Sequence, residues 1–102
     1  MKNYNLTFLP LFEEDLNQIV DYISLQLQNP MAALQLVDQV YTAIQERLPF
    51  AESFEKVVTK KDREATYYRI YVNNYIIFYV VQGTTMEVRR ILYGRQDWKK
   101  HL

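Results

Sequence analysis

The chain has 102 residues, 49% of them hydrophobic and 24% charged, with two glycines, three prolines and no cysteine. This length is enough for one domain with its own core, and the composition excludes disordered, collagen-like and low-complexity classes. The lack of cysteine excludes a disulfide scaffold, thiolate-bound zinc and a cysteine nucleophile, and it fits a reducing compartment. We therefore expect a single cytoplasmic domain over residues 1–102.

The zero net charge hides an uneven distribution. Residues 1–55 contain two basic and eight acidic residues, whereas residues 56–102 contain ten basic and four acidic ones. Either the two halves mix in three dimensions and the field cancels, or the C-terminal half presents a positive face to phosphate or to an acidic partner. No window approaches the roughly 18 apolar residues that a membrane span requires, so we expect no membrane association.

The first half of the chain reads as a strand followed by two helices. Alternation at positions 5–8 predicts a short strand that ends at Leu9-Pro10. Apolar residues then recur at helical spacing from Leu11 to Gln28, which predicts the first helix. Asn29-Pro30 is a typical helix start, and the second predicted helix ends near Pro49. So short a link between helices predicts a helical hairpin.

The second half reads as β structure. Phe54, Val57 and Val58 indicate a short strand, and a charged loop follows them. The predicted strands and turns after that loop are Thr66–Val72, the turn Asn73-Asn74, Tyr75–Val81, the turn from Gln82 to Thr85, and Met86–Tyr93. We expect the C-terminal tail after Gly94 to be short and Arg89 and Arg90 to point to opposite faces of one strand.

The order β-α-α-(β)-β-β-β predicts an α+β fold. In such a fold the N-terminal helical hairpin packs on one face of a curved antiparallel sheet. No helix remains to cover the opposite face, so we expect its aromatic and basic residues to meet solvent or a partner.

Residue types exclude most catalytic classes. The single histidine, His101, stands one residue from the end, so we expect neither a metal nor another cofactor. Ser24 and Ser53 do not follow the pattern of a nucleophile elbow, and Gly83 and Gly94 do not form a phosphate-binding loop. What remains is a basic and aromatic C-terminal half, in which cations can neutralise phosphate and aromatic rings can stack on unpaired bases. The same surface can bind protein, and the tyrosines can instead be packing residues.

Several segments together resemble a known family. They are the strand that ends at Pro10, Asp15–Ile23 in the first helix, Asn29–Ala33 at the start of the second, Tyr68-Arg69 before Asn74–Tyr79, and Val88–Trp98 at the end. In order, spacing and total length they resemble the RelE/ParE toxins of type II toxin-antitoxin systems, and they are nearer to the ParE-like, plasmid-stabilisation branch. The resemblance implies a small bacterial toxin that is held inactive by a cognate antitoxin, in a toxin-antitoxin hetero-oligomer.

The resemblance leaves the target open between DNA gyrase and ribosome-bound mRNA. The ribonuclease branch typically has an arginine at the position that Ile76 occupies here. Its arginine near the end of the last strand is kept as Arg95, whereas its C-terminal tyrosine or histidine has only Trp98 and His101 as counterparts. We therefore expect a ParE-like block of replication through gyrase. The alternatives are a RelE-like, metal-independent endoribonuclease and a non-toxic interaction module that has lost its target.

The candidate site residues follow from these alternatives. The catalytic candidates for a ribonuclease are Arg95, Arg69, Lys61 and His101. The candidates for target binding are Lys60, Lys61, Arg63, Arg69, Arg90, Tyr93, Arg95 and Trp98. For the antitoxin we expect strand addition to an exposed sheet edge, or a helix docked in the groove beside the helical hairpin. Arg95 can either meet a partner or form a salt bridge to Asp97 or Glu87.

Overall fold

The structure, a computed structural model, describes residues 3–57 and 66–102. Its strands are β1 (Asn5–Phe8), β2 (Lys56–Val57), β3 (Tyr67–Val72), β4 (Tyr75–Gln82) and β5 (Thr85–Tyr93), and its α-helices are α1 (Pro10–Asp21) and α2 (Pro30–Arg47). A π-helical segment, Tyr22–Gln26, extends α1, and short 3₁₀ helices cover Leu48–Phe50 and Trp98–His101. In the described part of the chain no helix is long and apolar enough to span a bilayer.

The helix boundaries confirm the predicted signals. Pro10 and Pro30 stand at the starts of α1 and α2, where proline's missing N–H costs nothing. The Asn29 side chain caps α2 by accepting a hydrogen bond from the Ala32 N–H at 3.1 Å. Gln28 adopts a positive φ of 50° between the π-helical segment and this cap. The two helices therefore begin and end close to the predicted residues.

The sheet has five strands in the order β1-β5-β4-β3-β2. Strands β2 to β5 pair antiparallel, and two-residue turns with positive φ at Asn73 and Gly83 join β3 to β4 and β4 to β5. β1 pairs with β5 in parallel, so the sheet is mixed and not wholly antiparallel as expected. Parallel neighbours need a long connection, and the two helices and the β2–β4 meander provide it. The α+β class and the element order are confirmed.

One face of the sheet, the helix face, carries the larger core. Its buried residues come from both helices and from β3, β4 and β5: Phe12, Leu16, Leu36, Val40, Ile44, Ala51, Tyr68, Ile70, Val72, Ile77, Tyr79, Met86, Val88 and Ile91. Side chains alternate along a strand, so every second residue of β3 and β4 lies on this face. The helical hairpin therefore covers the helix face, as predicted.

The opposite face, the tail face, also carries a buried cluster. It consists of Val57, Tyr67, Ile76, Phe78, Val80 and Leu92, and Trp98 and Leu102 pack against it. The expectation that the aromatic residues of this face meet solvent or a partner is therefore wrong for Tyr67 and Phe78, which are buried. Among the described residues the C-terminal tail, residues 95–102, covers part of this face through Trp98 and Leu102, and the chain folds back there after Gly94, whose N–H bonds to the Asn74 carbonyl of the turn. The sequence pattern did not predict that the tail packs on the sheet, because the segment is rich in charged residues.

A β-bulge changes the direction of one side chain on β5. Phe78 lies opposite Arg90 and Tyr79 lies opposite Val88, so Arg89 has no counterpart on β4. Without a bulge, Arg89 and Arg90 would point to opposite faces. Arg90 shares the tail face with its neighbour Phe78, and Arg89 contacts Tyr67 of the tail-face cluster. The prediction of opposite faces is therefore wrong, because the extra residue resets the alternation.

Candidate functional site on the tail face

The tail face combines a buried apolar cluster with three arginines. Arg69 lies on β3 opposite Phe78, and Arg89 and Arg90 lie at the bulge of β5. Each arginine is partly buried and has a carboxylate within 4.0 Å. The face is therefore cationic in composition, but its charges are largely compensated where they lie.

Arg90 makes the shortest of these ion pairs. Its Nε and Nη2 donate to Oδ2 and Oδ1 of Asp15 at 2.7 and 2.8 Å, which is a bidentate arrangement. The side chains of Arg90 and Asp15 are only 16% and 10% exposed. Hydrogen bonding to Asp15 raises the pKa of Arg90 above its ordinary value, more than burial lowers it. Arg90 is thus committed to a carboxylate of α1.

Asp15 also completes the edge of β5. β1 pairs with β5 only as far as Val88, so the edge of β5 beyond Val88 has no strand neighbour in β1. Oδ2 of Asp15 accepts a hydrogen bond from the Ile91 N–H at 3.2 Å and so satisfies one backbone donor of that edge. The sequence reasoning missed Asp15 among the acids of the first helix. Its position three residues after Phe12 and next to Leu16, on the apolar stripe, could have marked it as buried.

The other two arginines are held near aromatic rings. Arg89 donates to Glu87 at 2.8 Å and to the Tyr67 hydroxyl at 3.3 Å, and although burial lowers its pKa, these contacts leave the pKa raised. Arg69 lies 3.9 Å from Glu55, an 87% exposed carboxylate, and 5.7 Å from the centroid of the Tyr71 ring. Of these two, Arg69 is less tightly paired, since an exposed ion pair contributes little.

The C-terminal tail lies on this face. The Trp98 ring packs against Phe78 with 4.9 Å between centroids, and the His101 carbonyl accepts a hydrogen bond from Nη1 of Arg90 at 3.0 Å. The His101 side chain is exposed, and Lys99 lies 5.8 Å from the centroid of the Trp98 ring. Trp98 is therefore a half-buried packing residue, and His101 contacts Arg90 through its backbone.

Arg95 is exposed at the start of the tail. The two acids considered as its partners are engaged elsewhere: Glu87 pairs with Arg89, and Asp97 lies 3.7 Å from Lys100. Within residues 3–57 and 66–102 the structure gives Arg95 no ion pair or side-chain hydrogen bond. The salt-bridge alternative for Arg95 is therefore not observed.

Tyr93 lies on the other face of the sheet and lines a groove of about 520 Å³ beside the helical hairpin. The residues that line this groove are Gln18, Ile19, Tyr22, Leu27, Asn74, Tyr75 and Tyr93. The rings of Tyr93 and Tyr75 meet edge to face, with 5.8 Å between their centroids. The pKa of Tyr75 is raised, mainly by burial and to a smaller extent by the hydroxyls of Tyr93 and Tyr22. The structure thus separates Tyr93 from the tail-face candidates Arg69, Arg90 and Trp98.

Three of the predicted site residues, Lys60, Lys61 and Arg63, lie outside the described residues, as do Val58 and the predicted charged loop after it. Among the described residues no three histidine or acidic side chains come together as a metal site. The sequence reasoning also did not select Arg89, because the regular alternation of side chains along a strand predicted that Arg89 and Arg90 lie on opposite faces of the sheet.

Comparison with known proteins identifies the family. Residues 6–98 match the family described as the ParE toxin of the type II toxin-antitoxin system parDE. The chain belongs to the ParE toxin family. A solved structure described as the chromosomal ParDE toxin-antitoxin system from P. aeruginosa has a similar fold, with a TM-score of 0.68 and 17% identity over 89% of this chain and 96% of that one. A search of curated proteins finds no significant match.

Two positions that the resemblance singled out have different surroundings in the structure. Ile76, where the resemblance implies an arginine in the ribonuclease branch, is 5% exposed and belongs to the tail-face cluster. Arg95, which the resemblance relates to the second arginine of that branch, is exposed and makes no ion pair with residues 3–57 or 66–102. The two positions therefore hold a buried apolar side chain and an exposed cation.

Proposed function

We propose that this ParE-family chain is a toxin that arrests replication by acting on DNA gyrase and that a cognate antitoxin holds it inactive. The family match over residues 6–98 carries the proposal. A type II toxin-antitoxin system pairs a toxin with an antitoxin, so membership implies that partner.

The chemistry of the tail face supports a binding function over RNA cleavage. Cleavage without a metal requires cations that stabilise the charge of a phosphorane and a group that moves a proton. Ile76 supplies no charge at its position. The guanidinium nitrogens of Arg90 already donate hydrogen bonds to Asp15 and to the His101 carbonyl. Loss of one such stabilising group costs about 3 kcal/mol in the transition state, so the described part of the tail face favours binding over RNA cleavage.

One observation favours the second candidate, a ribosome-dependent mRNA endoribonuclease. Arg95 is exposed at the position where that branch also has an arginine. A guanidinium that is not engaged with the described residues suits a phosphate as well as a carboxylate of a protein. The experiment must therefore distinguish the two targets directly.

Induction of the chain in bacteria, followed by separate assays of DNA and mRNA, tests the proposal. We expect filamentous cells, DNA-damage signalling and inhibition of purified gyrase in a supercoiling assay, all suppressed by the antitoxin. Rapid translation arrest with new mRNA ends and undamaged DNA would instead support the endoribonuclease. Unchanged growth, with tight binding to the product of a neighbouring gene, would support a non-toxic interaction module.

We consider two surfaces of the toxin as binding sites for the antitoxin, an apolar groove and a strand edge with unpaired backbone groups. One is the groove beside the helical hairpin, where Leu27 is 56% exposed, and the other is the outer edge of β1. We expect hydrogen exchange to slow at one of these places when the antitoxin binds. Leu27→Arg should weaken binding if a helix docks in the groove, whereas Leu34→Arg, at an exposed position of α2 that does not line the groove, should not. A soluble, well-behaved monomer expressed at high level without the antitoxin would count against this part of the proposal.

A further inference from the structure

The C-terminal tail is attached to the rest of the described chain at few points. Its internal hydrogen bonds are local, such as that from the Trp98 N–H to the Gln96 carbonyl at 2.9 Å. Its long-range contacts are the Trp98 ring on Phe78, the Leu102 side chain on the tail-face cluster, and the His101 carbonyl on Arg90. Only the last of these is directional, so Arg90 fixes where the tail lies along the sheet.

Arg90 joins three elements of the fold. Nε and Nη2 bind the carboxylate of Asp15 on α1, while Nη1 remains for the His101 carbonyl of the tail. A guanidinium is planar and rigid, so the carboxylate that binds one edge determines where the third nitrogen points. Asp15 thereby sets the direction of the hydrogen bond to the tail, although Asp15 itself makes no hydrogen bond to described residues 95–102.

The bulge on β5 makes this arrangement available. It places Arg90 opposite Phe78, on the face that the tail covers, at a point beyond the end of β1. There the side chain can reach around the free edge of β5 to α1 and still contact the tail. A lysine would bind the carboxylate at one point and leave the tail carbonyl without an oriented donor.

We infer that Asp15 and Arg90 form a positioning pair that docks the C-terminal tail and so holds Arg95 where the toxin meets its target. The inference rests on the proposed function for its effect on toxicity, but docking of the tail is a property of the isolated protein. Neither residue needs to touch the target in this role.

Trp98 is the single tryptophan of the chain, so its fluorescence reports on the surroundings of the tail. We expect Asp15→Asn and Arg90→Lys to shift Trp98 emission to the red and to increase quenching by acrylamide, with the far-UV circular dichroism unchanged. Toxicity should fall by about ten-fold, the change expected from loss of one charge-assisted contact. Arg89→Gln, which removes an arginine whose hydrogen bonds among the described residues go to Glu87 and Tyr67 and not to the tail, is the matched control and should leave Trp98 emission unchanged.

Deletion of residues 101–102 perturbs the tail from its other end and leaves the Asp15–Arg90 ion pair in place. If the pair acts by positioning, this deletion should release Trp98 and reduce toxicity as Arg90→Lys does. If Arg90 contacts the target directly, the deletion variant should stay toxic, which would overturn the inference. Trp98 that remains shielded in Asp15→Asn and Arg90→Lys would overturn it as well. A parent chain that is not toxic would refute the proposed function, while the fluorescence would still decide the role of the pair.

Discussion

The two faces of the sheet are covered in different ways. The helix face is sealed by α1 and α2 over a large apolar cluster, whereas the tail face is covered, within the described residues, by Trp98 and Leu102 over a smaller one. The helix face resembles the interior of any small domain. On the tail face, arginine pairs and a short tail stand in place of a helix, so we expect that less free energy is needed to open this face. The comparison indicates that the larger apolar core lies on the helix face, whereas the partly buried arginines Arg69, Arg89 and Arg90 lie on the tail face.

The few polar side chains of the helix face serve its packing. The Tyr79 hydroxyl donates to the Ala51 carbonyl at 2.7 Å and accepts from Nη1 of Arg47 at 3.0 Å. The same Nη1 donates to the Arg69 carbonyl at 2.9 Å, and the Arg47 guanidinium lies 3.5 Å from the centroid of the Phe54 ring. This network ties the end of α2 to β3 and β4, so Arg47 is a structural residue.

The acidic first half and the basic second half of the chain meet on the tail face. Asp15–Arg90 and Glu55–Arg69 join an acid of the first half to an arginine of the second. The halves therefore mix at the tail face, and part of the basic excess is compensated there. Arg95 and Lys99 remain exposed on the tail.

The largest expected effects come from two neighbouring isoleucines on β4, which lie on opposite faces of the sheet. Ile77 is fully buried on the helix face, and Ile76 is 5% exposed on the tail face. We expect Ile77→Ala to lower the free energy of unfolding by about 4 kcal/mol and Ile76→Ala by about 2 kcal/mol, because the loosely attached tail can relax into the smaller space. Denaturant unfolding of both variants measures the difference. Equal losses would show that the two faces are packed equally well.

Tyr79→Phe should have the next largest effect. The substitution leaves the ring in place but deprives the buried Ala51 carbonyl of its donor, which we expect to cost about 2 kcal/mol. Thermal unfolding followed by circular dichroism measures the loss. Tyr71→Phe is the matched control, since Tyr71 is 64% exposed on the tail face, and a similar loss there would contradict a special role for the Tyr79 hydroxyl.

Gly94→Ala should have a smaller effect, confined to the point where the tail begins. A Cβ at Gly94 would lie 3.1 Å from the carbonyl oxygen of Asn74, which also accepts a hydrogen bond from the Gly94 N–H at 2.7 Å. We expect the free energy of unfolding to fall by about 1 kcal/mol. We also expect partial release of Trp98, because the new Cβ shifts residue 94, from which the tail leaves the sheet. Fluorescence and unfolding of the variant test both effects, with the exposed turn variant Thr84→Ala as the control. Unchanged Trp98 emission would show that the tail is positioned independently of Gly94.

Local signals predicted most of the elements. Pro10, Asn29 and Pro30 mark helix starts, and the Asn73 and Gly83 turns need positive φ, so each is decided by neighbouring residues. The parallel pairing of β1 with β5 was not predictable in this way, because it depends on contacts far apart in sequence.

The site was less predictable than the fold for the same reason. A bulge at Arg89 shifts one arginine to the other face, and no turn residue or proline marks it. The tail covers the sheet through Trp98, a single aromatic residue among charged ones, which sequence pattern does not distinguish from an exposed ring. Arg95 could be selected only through the family resemblance.

Arg95→Ala should have the smallest effect on stability and a large one on function. Arg95 is exposed and makes no ion pair with the described residues, so we expect the free energy of unfolding to change by less than about 0.5 kcal/mol. If the exposed guanidinium meets the target, toxicity should still fall at least about ten-fold, since loss of one charge-assisted hydrogen bond has that effect. Thermal stability measured beside growth inhibition separates the two quantities. Lys56→Ala, which removes one exposed positive charge from β2, controls for net charge. A variant that melts like the parent and stays fully toxic would remove Arg95 from the site and leave the tail only its role as a cover for the sheet.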